Sequence, residues 1–366
     1  MRTVLHVLEA IEGGTARHVV DLVTRLEGFG HHVALPATRV GGVTDAAAGP
    51  AMEGAGATVH RIDMRRSPVS AANLAALARL RCLAAAVGPD LVHGHSAAGG
   101  ALARLVARSL GTPCIYTPNG LHPARWAMAA ERRLGALTDR FIAVSPSEAR
   151  LAAANGLAPV DRIATVPNGV EPPAGPPVVE AAGGAEATVG FVGRLVPQKD
   201  PLAFVAVARA LVARRPAVRF EVIGAGRLEA AVRRAAAGGG LEGRLELFGH
   251  RPGAAALMRR FDVLVLPSRY EGCPYTALEA MAAGVPVVLS DAVGNRDLVE
   301  SGRSGLLFRT GDIDGAVAAV ERILDRPELA RSLVRAARDR VVDHFGVGRM
   351  VERTAAVYDE VMAARR

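Results

Sequence analysis

Short β-type runs alternate with Ala- and Leu-rich helical stretches along this 366-residue chain, and one Pro- and Gly-rich stretch, from Pro167 to Gly184, interrupts the alternation. Such alternation is the signature of repeated βαβ units, in which helices cover both faces of a parallel sheet. Before the break, strand-type runs fall at residues 3–8, 32–36, 58–62, 90–93, 113–117, 141–144 and 163–166. After it they fall at 188–192, 219–223, 245–248, 263–266, 286–289 and 306–308. Between the two sets, Pro172, Pro173, Gly175, Pro176 and Pro177 leave no room for a helix or strand. The pattern predicts two doubly wound parallel-sheet α/β domains, residues 1–170 and 185–346, joined by a linker at 171–184. A chain of this length suits two domains that each bury a core. Residues 347–366 carry Val351, Ala355, Val357, Tyr358, Val361 and Met362 at helical spacing, which predicts a terminal amphipathic helix.

Composition narrows the function class. No apolar run approaches the roughly 18 residues of a membrane-spanning helix, so a soluble protein is expected. Glu9 and Glu12 near the start do not suit a secretory signal, and a cytoplasmic location is expected. Cys82, Cys114 and Cys273 form no C-x-x-C pair and read as reduced thiols. Charge is spread rather than gathered: 17 basic against 12 acidic residues up to 170, and 27 against 24 beyond. That argues against a nucleic-acid partner but is compatible with phosphorylated ligands or with peripheral contact at the inner membrane face. Of the 44 basic residues 43 are Arg, and Lys199 is the sole Lys.

In open α/β sheets ligands bind at the carboxyl ends of strands, so the loops that follow strands carry the chemistry. Two such domains in series suggest that these loops line a cleft between them. Gly13 and Gly14 follow the first strand and open a helix, which serves either close approach to a ligand or a tight turn. They do not form G-x-G-x-x-G, which argues against a dinucleotide cofactor and hence a dehydrogenase. Gly193, Arg194 and Lys199 leave a strand with two cations five residues apart, able to converge on one diphosphate. Gly224 and Gly226 end the next strand, and His250 and Arg251 follow the one after; each pair is either a ligand contact or an ordinary turn.

The densest cluster runs from Pro267 to Pro286, with Glu271 and Glu279 separated by seven residues and Gly272, Cys273, Thr276, Ala277 and Leu278 between them. It reads as a loop entering a helix near Thr276, where free backbone amides and the helix dipole would hold a diphosphate. Glu271 suits sugar hydroxyls. Glu279, expected in the first helical turn, by itself suits a capping box with Thr276, and within the whole cluster suits ribose hydroxyls.

Glu271 to Glu279, the Gly193-Arg194…Lys199 loop, the Gly224-x-Gly226 turn and the Gly13-Gly14 loop, in this order, resemble the retaining family 4 glycosyltransferases of GT-B fold. Val144-Ser145-Pro-Ser147, Val166-Pro167-Asn168-Gly169-Val170 and Gly294-Asn-Arg-Asp-Leu-Val-Glu300 agree with that resemblance. It implies a hexosyltransferase in which the second domain holds a nucleotide diphosphate sugar, by family weight a UDP-sugar. The first domain would bind the acceptor and the C-terminal helix would cross back to it. Arg194 and Lys199 would bind the diphosphate, Glu271 the donor sugar and Glu279 the ribose. No metal or other cofactor is expected. The acceptor would be a hydroxyl of a glycan, a lipid-linked sugar or a small metabolite.

One position departs from the resemblance. Asn119, in Tyr116-Thr-Pro118-Asn119-Gly120, stands where the family commonly has a His proposed to contact the donor sugar and reacting centre. Asn exchanges hydrogen bonds but is no proton-transfer base. His93, His95 and His122 are acceptor-side substitutes. His93-x-His95 also resembles a metal pair, although no third ligand is evident nearby, and a hydrogen-bonded strand end accounts for it as well. His6, inside the first strand, reads as structural. Arg125, Trp126, Arg132 and Arg133 fit a basic amphipathic helix, either solvated or at a membrane surface. The rival functions are a catalytically silent sugar-nucleotide-binding protein and an epimerase or phosphorylase of the same fold.

Overall fold

The computed structural model describes residues 2–9, 13–36, 47–65, 70–172, 175 and 187–364. The chain forms two units, Met1–Asn168 with Val347–Arg366, and Gly169–Gly346. Of the breaker-rich segment 171–184, only Glu171, Pro172 and Gly175 are among the described residues. No described helix is long and apolar enough to cross a membrane.

In the first unit the strands are β1 (Arg2–Leu8), β2 (Phe29–Leu35), β3 (Thr58–Arg61), β4 (Leu91–His95), β5 (Cys114–Thr117), β6 (Arg140–Ala143) and β7 (Ile163–Thr165). They pair in the order β3-β2-β1-β4-β5-β6-β7, every pair parallel. A parallel sheet is buried on both faces, which is why these strands read as near-continuous apolar runs. Alternate residues still divide between the faces. Val4, Leu91, Ile115 and Ile142 pack with Leu22, Met350, Val351 and Tyr358, whereas Leu5, Val7 and Val92 pack with Leu80, Ala84, Leu102 and Val106.

Helix Val347–Ala363 covers the first of these faces. Val347, Met350, Val351, Thr354, Val357, Tyr358, Val361 and Met362 are its buried residues, a stripe at three- and four-residue spacing. Each large apolar side chain so buried contributes about 1.5–3 kcal/mol. Tyr358 is fully buried, and its hydroxyl lies 2.5 Å from His93 Nδ1. Tyr358→Phe keeps the packing but strands that imidazole nitrogen, so a loss of about 1–3 kcal/mol is expected in urea unfolding. Wild-type stability would show that the hydroxyl contributes nothing there.

In the second unit the strands are β8 (Thr188–Val192), β9 (Arg219–Ile223), β10 (Leu245–Gly249), β11 (Val263–Leu266), β12 (Val287–Ser290) and β13 (Leu306–Phe308). Their order, again all parallel, is β10-β9-β8-β11-β12-β13. The order reverses between β8 and β11, as it does between β1 and β4 in the first unit. At such a switch point neighbouring loops diverge to opposite faces and leave a crevice at the carboxyl ends of the strands.

Candidate active site

At the switch point of the second unit, the loops after β8 and β11 are tied together. Arg269 N donates to Gln198 O at 2.8 Å, and Gln198 Nε2 donates to Tyr270 O at 3.2 Å. Arg194 Nη2 donates to Gln198 Oε1 at 3.2 Å. Lys199 Nζ donates to Glu271 Oε1 at 2.6 Å, with the two side chains 12% and 5% exposed. The two charged groups expected to hold diphosphate and sugar separately are therefore partners of each other, at one point of the crevice.

Asp200, with φ of +48°, follows at once. It caps helix Pro201–Arg214 by accepting from Ala203 N and also receives Arg269 Nε at 2.8 Å. A non-glycine residue in left-handed conformation costs about 1 kcal/mol or more and persists where its surroundings over-determine it. Here a cap and an ion pair do so, and the adjacent Lys199 inherits the fixed geometry. Neither Gln198 nor Asp200 stood out in the sequence as a site residue.

The glycines have reasons nearer than a ligand. A Cβ at Gly224 would lie 1.9 Å from Gly193 O, so the turn after β9 packs backbone against the loop that carries Arg194. Gly294, with φ of +86°, brings the loop after β12 onto Gly272 in the same way: a Cβ there would meet Gly272 O at 2.3 Å. Glu271 N donates to Val293 O at 3.0 Å, which fixes the glutamate from the other side. Gly226 stands against Leu195 O. Gly272 and Cys273 are buried beside Glu271.

The helix after this loop corrects the expected first turn. It spans Tyr275–Ala283 with Pro274 as N-cap, so Thr276 lies inside it and the capping box with Glu279 does not form. Glu279 is the fifth helical residue and begins the second turn. The Ala277 and Leu278 amides, expected to be free for a diphosphate, both donate to Pro274 O, at 3.1 and 3.3 Å. The dipole of this helix still favours an anion at its N-terminal end. His250 and Arg251 are exposed after β10, the edge strand, two strands away from β8.

In the first unit, Gly13 and Gly14 are exposed at the start of helix Gly13–Arg25, and Ala10 to Glu12 lie outside the described residues. Asn119, with φ of +55°, follows β5; its Oδ1 is buried and has no hydrogen-bond partner among the described residues. His122 is exposed, accepts from Ala124 N and lies near Trp126, itself 66% exposed.

His93 and His95 are not surface groups awaiting an acceptor: both are fully buried. Nor are they without a third imidazole, because β1 pairs with β4 and sets His6 opposite His93. Ligand nitrogens of His6, His93 and His95 lie within 4.8 Å of one another. Most of those nitrogens are already engaged. His31 Nε2 must donate to Leu26 O, at 3.2 Å, because a carbonyl only accepts. With neutral rings, His6 Nε2 then donates to His31 Nδ1 (3.1 Å) and His95 Nε2 to His6 Nδ1 (3.2 Å). His93 meets Tyr358 Oη and Thr117 Oγ1. His18 Nδ1 meets Asn168 Oδ1 at 3.0 Å. Left over among the described residues are two buried lone pairs, His95 Nδ1 and His18 Nε2. Burial pushes His6, His93 and His95 well below the ordinary imidazole range and His18 down to about 4. The group is a neutral hydrogen-bonded tier of the core.

The sequence matches two family models, one described as Glycosyltransferase Family 4 over residues 12–172 and one as Glycosyl transferases group 1 over residues 186–326. It is 31% identical to the D-inositol 3-phosphate glycosyltransferase of Geodermatophilus obscurus, over 75% of this chain and 68% of the relative. It is 27% identical to the UDP-Gal:alpha-D-GlcNAc-diphosphoundecaprenol alpha-1,3-galactosyltransferase of Escherichia coli, over 75% of this chain and 76% of the relative. Among solved structures it resembles Anabaena HepE in complex with UDP and glucose, with a TM-score of 0.83 at 18% identity, over 98% of this chain and 100% of the other. Two parallel-sheet units, two family models and these relatives agree: the chain belongs to the family 4, group 1 glycosyltransferases, enzymes of GT-B fold.

Proposed function

We propose that the chain transfers a hexosyl group from a UDP-sugar to a hydroxyl of a glycan, lipid-linked sugar or small metabolite, with retention of configuration. The observation that carries the reading is the Lys199–Glu271 contact beside Arg194 at the switch point of the second sheet. In the reaction the acceptor oxygen bonds to the anomeric carbon on the face the diphosphate leaves, and the bond from that carbon to the phosphate oxygen breaks. The acceptor proton passes to a leaving phosphate oxygen, so an amide at position 119 does not stop turnover. Negative charge grows on the diphosphate, and an ammonium and a guanidinium carried by the same loop stabilise that charge more in the transition state than before it. Glu271 reads the sugar and Glu279 the ribose. The uridine carrier is supported by the E. coli relative, named for UDP-Gal, and by HepE, solved with UDP-glucose. Exposed Trp126 beside Arg125, with Arg132 and Arg133 on the same helix, supports peripheral contact with an anionic membrane face.

The test is incubation with a panel of nucleotide sugars, with and without acceptors, followed by the anomeric configuration of the product. UDP-sugars are expected to be consumed with retention, and chelation by EDTA is expected to leave the rate unchanged. UDP at a hundredfold excess over its dissociation constant is expected to stabilise the protein by about 2.7 kcal/mol. Stabilisation without turnover against any acceptor would favour the silent binding protein, the reading to which Asn119 lends itself. An inverted product would overturn the stereochemistry proposed.

A further inference from the structure

We propose that Glu148 is a positioning residue of the transfer reaction, locking the turn after β5 so that Asn119 Oδ1 is held ready to accept a hydrogen bond from a substrate hydroxyl. The substrate in this statement rests on the transferase function proposed above; the clamp itself rests on geometry within the first unit.

Glu148 is fully buried. Its Oε1 accepts from the backbone amides of Gly120 and Leu121, both at 2.9 Å, and its Oε2 accepts from Val144 N at 2.8 Å. Its own amide donates to Ser145 Oγ at 3.2 Å, the N-cap of helix Pro146–Ala154. One carboxylate thus joins the end of β6 and the first turn of that helix to the loop leaving β5. A capping box in isolation would return the carboxylate to the amide of its own cap residue. Here the carboxylate reaches past the cap to a neighbouring loop, so its position serves the loop.

What it holds is costly to hold. Asn119 sits at φ of +55°, and Gly120 beyond it at +116°. Asn119 Nδ2 lies 3.4 Å from Thr117 O, to which only a nitrogen donates, so Oδ1 faces the other way. That oxygen is buried without a partner among the described residues. Strain alone would not mark the residue. Ser96, at φ of +56° after β4, is comparably strained and comparably clamped, since Glu9 Oε2 accepts from Gly99 N at 2.8 Å and from Ser96 Oγ. Its hydroxyl, however, is fully engaged, donating to Glu9 or to His95 O. Asn119 combines strain, a three-amide clamp and an unmatched buried acceptor at the carboxyl end of a strand. An unmatched acceptor kept at such cost suits a hydroxyl brought by a ligand.

The experiment uses the full-length chain and the variants Glu148→Gln, Asn119→Ala and their combination, with a UDP-sugar as probe. Two quantities are read: steady-state kinetics well below the unfolding midpoint, and amide hydrogen exchange at Gly120 and Leu121. Glu148→Gln is expected to lower kcat about tenfold with KM for the nucleotide sugar nearly unchanged, and to speed exchange at both amides by about tenfold. Asn119→Ala is expected to lower kcat at least as far. The double variant is expected to be no slower than Asn119→Ala alone, because a residue acting through another adds nothing once that other is gone. Multiplying effects, wild-type kcat in Glu148→Gln, or unchanged exchange would each overturn the proposal. If Glu148→Gln does not fold, Ser145→Ala removes the cap that holds the Glu148 amide while leaving the carboxylate in place, and a smaller loss of kcat with faster exchange at Gly120 and Leu121 is expected; no change would overturn it. A wild-type chain inert toward every nucleotide sugar would count against the transferase function, while exchange at the two amides still decides the clamp.

Discussion

Acidification from pH 7 to pH 4 is expected to loosen the first unit before the second. Of the ten histidines, eight lie at or before His122, and five of those, His6, His18, His31, His93 and His95, form the hydrogen-bonded tier between its sheet and helices. Burial holds these rings neutral in the folded chain, with His18 down to about 4 from an ordinary 6.5. A depressed folded pKa means that the unfolded chain binds the proton first. The stability each ring contributes is complete above about pH 6.5 and drains away as pH falls toward the folded value. For His18 alone the difference integrates to about 3 kcal/mol, and His6, His93 and His95 act in the same direction. Glu148 opposes them. Burial raises its carboxyl to about 7, so protonation favours the folded chain as pH falls, offsetting roughly one histidine. The direction of the hydrogen bonds adds to the net loss. The run from His95 through His6 and His31 to Leu26 O has one donor and one acceptor per ring, and a second proton on His6 sets donor against donor. Hydrogen-exchange mass spectrometry across this pH range, corrected for intrinsic rates, separates the units. Equal protection of residues 2–35 and 91–117 at pH 7 and pH 4.5 would show that the tier takes up protons without opening.

How far this was legible in the sequence depended on which contacts are local. The thirteen strands among the described residues lie at or within a few residues of the apolar runs that predict them, because a strand buried on both faces needs little more than its own run. β2 starts at Phe29, ahead of the expected His32, since Gly30 and His31 do not resemble strand interior. The histidine tier was not legible. Its members come from β1, β2, β4 and the first helix, and only the sheet order sets His6 opposite His93. The one signal was the period-two His93-x-His95 repeat. Lys199 and Glu271 were each singled out, but their contact depends on β8 lying next to β11 with two strands between them in sequence. Glu279 was misplaced by the helix start, which Pro274 caps. Glu148 was missed by one residue: the motif read at 144–147 stops just before the carboxylate that completes Ser145-Pro-Ser-Glu148.

Lys199→Ala is expected to lower turnover about ten- to a hundredfold, the effect of losing one charge-assisted hydrogen bond to the leaving diphosphate. It is also expected to lower the stability of the second unit by about 3–5 kcal/mol, because Glu271, 5% exposed, is left as an uncompensated buried carboxylate. The two losses are separable. In the double variant Lys199→Ala with Glu271→Gln the stranded charge is gone, so stability is expected to recover while turnover does not. Lys199→Arg tests the geometry rather than the charge. A chain with 43 arginines and one lysine has kept an ammonium at the point where it meets Glu271 at 2.6 Å between two packed loops. A guanidinium is planar, longer and built for a two-pronged partner, whereas an ammonium is a compact point charge able to turn from carboxylate to phosphate. Lys199→Arg is therefore expected to retain UDP binding yet lose most of its turnover, as read from UDP affinity alongside kcat. Undiminished turnover in Lys199→Ala would mean that the lysine holds the loops together and does not act on the leaving group, whereas undiminished turnover in Lys199→Arg would mean that any cation at this position suffices and its geometry does not matter.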